Sequence, residues 1–200
     1  MTGTDPHLRH EFRVFGGDLR ATLDTLGNTA PFGPEEARED LYLVIRNRPD
    51  CGLKFRGTGN RLELKRLIRT ERGCELWEPA ASEDLPLTGA ELSERFLAPA
   101  GLPPLPSNTR FDRTGLLNAL ATARDLRAIA VAKRRRQCSI GPVSCEHGSF
   151  AFPGGLIETG LALESTDLDR LCALISRLGL ETRENVSLPR RLLRLSFAHA

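Results

Sequence analysis

Charged residues spaced two apart recur at four places in the sequence. They are Arg9, Glu11 and Arg13; Lys54 and Arg56; Glu63 and Lys65; and Lys133 and Arg135 within the run Lys133-Arg134-Arg135-Arg136. Side chains two apart on a strand share a face, so four strands would each present a charged face, three of them mainly basic. Exposed, such faces are ordinary solvated surface, because charged residues are rarely buried unpaired. Turned inward in a closed barrel, they make an array of cations that calls for a polyanion. Phosphate chains are the obvious polyanion, since arginine and lysine hold them through charge-assisted hydrogen bonds. The lysines sharpen this reading. Of 28 basic residues only three are lysine, Lys54, Lys65 and Lys133, and the other 25 are arginine. A retained lysine marks a place for a compact point charge rather than a planar fork, with chance as the plain alternative.

The elements that must position these residues follow from periodicity and turn chemistry. His10–Phe15 alternates, with His10, Phe12 and Val14 on one face and Glu11, Arg13 and Phe15 on the other. Asp18 is placed to cap a short helix ending at Leu26, before a turn-rich stretch from Gly27 to Pro34. A meander follows: Asp40–Ile45, Cys51–Arg56, Arg61–Ile68 and Cys74–Trp77, with turns at Asn47–Asp50 and Gly57–Asn60. A proline-rich stretch over about 79–108, with a short helix at Gly89–Leu97, reads as a surface excursion. Asp112 then caps a helix to about Leu126. Strands are expected at Ile129–Gln137, Cys138–Cys145, Ser149–Phe152 and Leu156–Glu164, with His147-Gly148 as a hairpin turn. Ser165 or Thr166 starts an amphipathic helix that Gly179 stops, and Pro189–Leu195 is a last short helix. The expected fold is α+β: a mainly antiparallel eight-stranded barrel or tunnel with flanking helices, because eight alternating strands can close. Residues 1–200 are read as one domain.

Composition excludes several classes. No stretch approaches the ~18 consecutive apolar residues of a membrane helix. Met1–His10 is polar and lacks the apolar centre of a signal peptide, so the expected location is cytoplasmic. A net charge of +2 speaks against a nucleic-acid partner. Five scattered cysteines without a C-x-x-C pair indicate neither a zinc site nor a disulfide framework; buried free thiols are expected. His10 and His147 are read as surface or turn residues, and Trp77 and Phe96 as core.

Several segments taken together resemble a known superfamily. Asp40-Leu-Tyr-Leu43, then Gly52-Leu-Lys-Phe-Arg56, then Leu62-Glu-Leu-Lys65, followed by Lys133-Arg-Arg135, Glu158-Thr-Gly160 and Leu178-Gly-Leu180, match the order of motifs in the CYTH superfamily of triphosphate tunnel metalloenzymes. The flavour is closest to its thiamine-triphosphatase branch. The match spans most of the chain outside the proline-rich stretch, and all three lysines fall at its basic positions. The resemblance implies a tunnel in which Arg13, Lys54, Arg56, Lys65, Lys133 and Arg135 bind the phosphates. It implies that Glu11, Glu63, Glu75 and Glu158 hold Mg²⁺ or Mn²⁺, with Glu11 and Glu158 at the chemistry. Hard divalent ions take carboxylate and phosphate oxygens together and can position an attacking water. The departures are acidic: Arg9 stands for the family's first glutamate, Arg13 for its lysine, Val44 for the second acid of its D-x-Y-x-D strand and Gly160 for the second of its E-x-E strand. Leu188 replaces a late tyrosine. Acids such as Glu146 or Glu164 could complete a variant site.

The sequence thus carries the basic half of the pattern better than the acidic half. Three readings follow. One is a metal-dependent triphosphatase acting on a phosphorylated small molecule. The second is a binding module for a phosphorylated ligand or polyphosphate without turnover. The third is an adaptor using Arg190-Arg191 and the Arg134–Arg136 run.

Overall fold

A computed structural model describes residues 8–197 of the chain; most of the polar Met1–His10 segment lies outside them. In chain order the elements are β1 (Arg9–Phe15), α1 (Arg20–Thr29), β2 (Glu36–Ile45), β3 (Cys51–Phe55), β4 (Arg61–Glu71), β5 (Cys74–Asp84), β6 (Leu87–Thr88), α2 (Gly89–Leu92), a wide helical turn at Ser93–Leu97, and α3 (Ala98–Ala100). Then come β7 (Arg110–Phe111), α4 (Arg113–Leu120), β8 (Leu126–Ile140), β9 (Val143–Ala151), β10 (Ile157–Ser165), α5 (Leu168–Arg177) and α6 (Leu188–Phe197). Among the described residues eight strands close into a barrel in the order β1-β10-β9-β8-β2-β3-β4-β5, and β6 pairs with β7 outside it. The expected α+β barrel is therefore present. No helix among the described residues is long and apolar enough to cross a membrane.

The chain divides into two compact units, each with its own core. The first comprises 8–38, Leu67–Glu78 and Ala132–Leu188. Its core takes Phe12 and Val14 from β1, Cys145 from β9 and Leu161 and Leu163 from β10, under Leu26 of α1 and Leu171, Leu174 and Ile175 of α5. The second comprises Glu39–Arg66, Pro79–Val131 and 189–197. Its core sets Leu43, Leu53, Phe55, Leu62 and Leu64 of β2–β4 against Leu92, Phe96, Leu97 and Leu116. In both, helices cover the apolar face of the strands, which is the outer face of a barrel. The alternate residues of those strands turn inward.

The proline-rich stretch is thus a roof rather than a surface excursion. Leu92, Phe96 and Leu97 are fully buried, and Pro79 continues β5. Thr88 and Glu91 close a reciprocal cap at the start of α2. Other expectations are corrected by local chemistry. His147-Gly148 lies within β9, not at a turn; the chain reverses at Gly141-Pro142, so residues 126–140 form one strand. Gly148 is glycine because a Cβ there would collide with the Arg134 carbonyl oxygen on the paired strand. Helix α1 runs past Gly27 to Thr29, and α4 stops at Leu120. Asp112 does cap α4, through the Gly115 amide, and Asp167 rather than Ser165 or Thr166 caps α5, through the Arg170 amide. His10 is buried on β1, not at the surface, while Trp77 and Phe96 are core as expected. Gly179, at φ 64°, ends α5 as read.

Replacing Gly148 by alanine should cost about 1–3 kcal/mol, the usual penalty of overpacking. Urea unfolding measures it; a change under a few tenths of a kcal/mol would show that the β8–β9 pair can part to admit a methyl group.

Candidate functional site

The inward face of the first unit is charged, and strand register sets its layout. Across β5, β1 and β10, Glu75, Glu11 and Glu164 stand side by side. One pleat along, Arg13 faces Ala162, which faces Glu146 on β9 and through it Gln137 on β8. The next row holds Phe15, Gly160, Gly148 and Arg135, and the one after it Glu158, Phe150 and Lys133. The sequence-selected residues Glu11, Arg13, Glu75, Lys133, Arg135 and Glu158 therefore share one face of this unit.

These charges are arranged as a chain of alternating sign. Arg13 Nε donates to Glu11 Oε1 at 2.8 Å, and its Nη1 reaches Glu146 Oε1 at 3.5 Å. Arg135 Nη1 donates to the other Glu146 oxygen at 2.6 Å, and its Nη2 to Glu36 at 2.9 Å. Gln137 Nε2 adds a donor to Glu146 at 3.4 Å. The order Glu11–Arg13–Glu146–Arg135 is what burial requires, because a buried ion is tolerated only when paired, and Glu36 ends the chain at an exposed position. Burial by itself would raise the Glu146 carboxyl; Arg13, Arg135 and Lys133 overcome it and hold the group at about 2. Burial likewise works against charge on Arg13, and Glu11, Glu146 and Glu164 outweigh it, so the guanidinium is held more firmly protonated than usual. Beside the acidic row, Trp77 Nε1 donates to Glu75 Oε2 at 3.0 Å. Asn185 ties the edge of β1, accepting from the Arg13 amide and donating to the Glu11 carbonyl.

The second unit repeats the device on β2–β4. Tyr42, Lys54 and Glu63 lie in one register row. Lys54 Nζ stands 3.4 Å from Glu63 and 3.7 Å from Asp40, which has no exposed surface and also accepts from the Gly57 amide. Arg56 grips Glu63 with two nitrogens, at 2.6 and 3.1 Å. Burial pushes the Glu63 carboxyl up, but Arg56 and Lys54 pull it below its ordinary value. Lys65 sits opposite Gly52, on the same face as Glu63. Lys54, Arg56, Glu63 and Lys65 are thus gathered as the sequence spacing required.

Sequence reading undervalued two residues. Glu146 is the central acid of the first chain and Asp40 the fully buried end of the second, yet the sequence marks Glu146 only as a spare and Asp40 only as part of a motif. For Asp40 the signal was there: an acid beginning an otherwise apolar strand run. The metal roles read for Glu11, Glu63, Glu75 and Glu158 find no converging set. Among the described residues no three His, Cys, Asp or Glu side chains come together as a cation site. Glu11 is spent on Arg13 and Glu63 on Lys54 and Arg56. As arranged, the face holds its charges with arginine and lysine, and the donor set does not fit a preformed divalent site.

Solved structures share this fold. A protein of Pyrococcus horikoshii is 17% identical, with 92% of this chain and 99% of that one covered and a TM-score of 0.54. A conserved hypothetical protein of Pyrococcus furiosus is 19% identical over 94% and 99% of the two chains, with a TM-score of 0.52. A candidate adenylate cyclase of Bacillus halodurans is 12% identical over 92% and 98%, with a TM-score of 0.51. At such identities the likeness is one of fold. No family model and no curated protein matches the chain.

The pH dependence of stability follows from Glu146. Its carboxyl sits below its ordinary 4.5 when folded, at about 2, so its stabilisation is full above 4.5 and drains away as pH falls toward 2. Glu146→Gln should lower stability at neutral pH by about 1–3 kcal/mol and flatten the profile across that acid window. Urea unfolding at a series of pH values reads both; an unchanged acid slope in the variant would remove Glu146 from the network.

Proposed function

We propose that the inward face binds a triphosphate or other polyphosphorylated small molecule. Arg13, Lys133 and Arg135 would hold its phosphates in the first unit, and Lys54, Arg56 and Lys65 are proposed for the same role in the second. One observation supports this above the rest: Glu146 sits as a resident anion between two guanidiniums, with an amide donor beside it and Lys133 in its field. A place that holds a carboxylate this way is an anion site with an internal occupant. A phosphate chain carries more charge and more acceptor oxygens than a carboxylate, and it suits the forked donors of arginine better. Binding is then an exchange in which phosphate oxygens take over donors that Glu146 holds. The CYTH-like order of the lysine and arginine motifs points to the same ligand class.

Glu11 and Glu158 are proposed as the acids of any hydrolytic step. Phosphate release measured with Mg²⁺, with Mn²⁺ and with chelator separates turnover from binding. A ligand held by arginine and lysine alone needs no metal to bind.

Inorganic triphosphate should therefore raise the melting temperature in the presence of chelator, and less so as salt rises. Arg135→Ala should weaken its binding about tenfold or more, one lost charge-assisted contact being ~1.5–3 kcal/mol. Arg134→Ala removes an exposed guanidinium paired to Glu35 and should leave affinity unchanged. Calorimetric titration of the three proteins decides it; equal affinity in all three, or no binding at all, would sink the proposal.

A further inference from the structure

The five cysteines are all free thiols, and four of them stand in two pairs in the core beneath α5. Cys138 and Cys145 face each other across the β8–β9 pair, both buried. Cys74, the first residue of β5, and Cys172, midway along α5, form the other pair, both in this core and close enough to interact. Access separates the two pairs. Cys74 has no exposed surface, but Cys172 is only partly buried and opens on a cavity of about 270 Å³. Arg72, Arg183, Asn185 and Glu181 line that cavity beside it. An accessible thiol with a second, buried thiol behind it is the arrangement of an oxidisable dithiol.

We propose that Cys74 and Cys172 form a redox modification site that takes a peroxide as oxidant and closes to a reversible disulfide between β5 and α5. Cys172 acts first, because it is the sulfur that opens on the cavity. Its thiolate attacks the peroxide: a sulfur–oxygen bond forms, the oxygen–oxygen bond breaks, and the departing oxygen takes up the thiol's proton. With hydrogen peroxide the products are water and a sulfenic acid on Cys172. Cys74 then attacks that sulfur: the sulfur–sulfur bond forms, the sulfur–oxygen bond breaks, and hydroxide leaves with the Cys74 proton as water. Two electrons pass from the two thiols to one peroxide. Burial pushes the Cys74 thiol up to about 12, which keeps it protonated at neutral pH and confines it to the second, resolving step. The two sulfurs lie off the charged face. Cys74 and Glu75 are neighbours in sequence, but their side chains lie on opposite faces of β5.

The reduced protein is treated with hydrogen peroxide, its remaining thiols are alkylated, and intact mass and peptide maps are recorded. The expected result is the loss of two alkylations, a Cys74–Cys172 linked peptide and a higher melting temperature, all reversed by dithiothreitol. Cys74→Ala should stop the reaction at a sulfenic acid on Cys172, captured by dimedone. Cys172→Ser, at a part-exposed position, should abolish the link and leave Cys74 unmodified. The wild-type map decides the matter even where Cys74→Ala fails to fold. Five alkylated cysteines after peroxide, a link between Cys138 and Cys145 instead, or over-oxidation of Cys172 without a link would each overturn the proposal.

Discussion

A closed barrel with charges on its inner face can fold only if each charge finds an opposite neighbour. An isolated buried ion costs several kcal/mol, so the strands must deliver acids and bases in alternation and in register. The two ion-pair chains, Glu11–Arg13–Glu146–Arg135–Glu36 and Asp40–Lys54–Glu63–Arg56, meet that requirement. Everything else supports them. Outward-facing apolar residues on the same strands pack beneath helices, α1 and α5 in one unit and residues 89–120 in the other. Those cores pin the strands, and the pinned strands fix which charge lies beside which.

The same constraint shapes what the face can do. Glu146 and Glu63, engaged by basic groups, are held ionised, and among the described residues the carboxylates are not gathered as a cation site. Guanidiniums engaged by carboxylates remain donors that a stronger anion can claim. The proposed role, exchanging one anion for another, uses those donors. Aromatic neighbours strengthen it: the Arg13 guanidinium lies 5.7 Å over the Phe150 ring, which meets Phe15 edge-on.

Much of this was legible in the sequence, and the reasons differ by residue. The two-residue spacing of Lys54 and Arg56, or of Lys133 and Arg135, fixes a shared face whatever the strand's partners. The pairing of Glu146 with Arg13 could not be read that way, because register between β1, β10 and β9 is a tertiary property. His147-Gly148 misled because glycine serves both turns and close strand approach, and here it is the second. The proline-rich stretch misled because its prolines mark loops, and although the short helix at Gly89–Leu97 is legible, what its Leu92, Phe96 and Leu97 pack against is a tertiary property. The ion pairs that engage Glu11 and Glu63 are likewise displayed by no linear motif.

The most direct measurement is a crystal structure grown with inorganic triphosphate and chelator. The account predicts phosphate oxygens within hydrogen-bond distance of Arg13 and Arg135, with the Glu146 carboxylate turned away from at least one of them. A refined structure with Glu146 still holding both arginines, and triphosphate absent from the inward face, would contradict it.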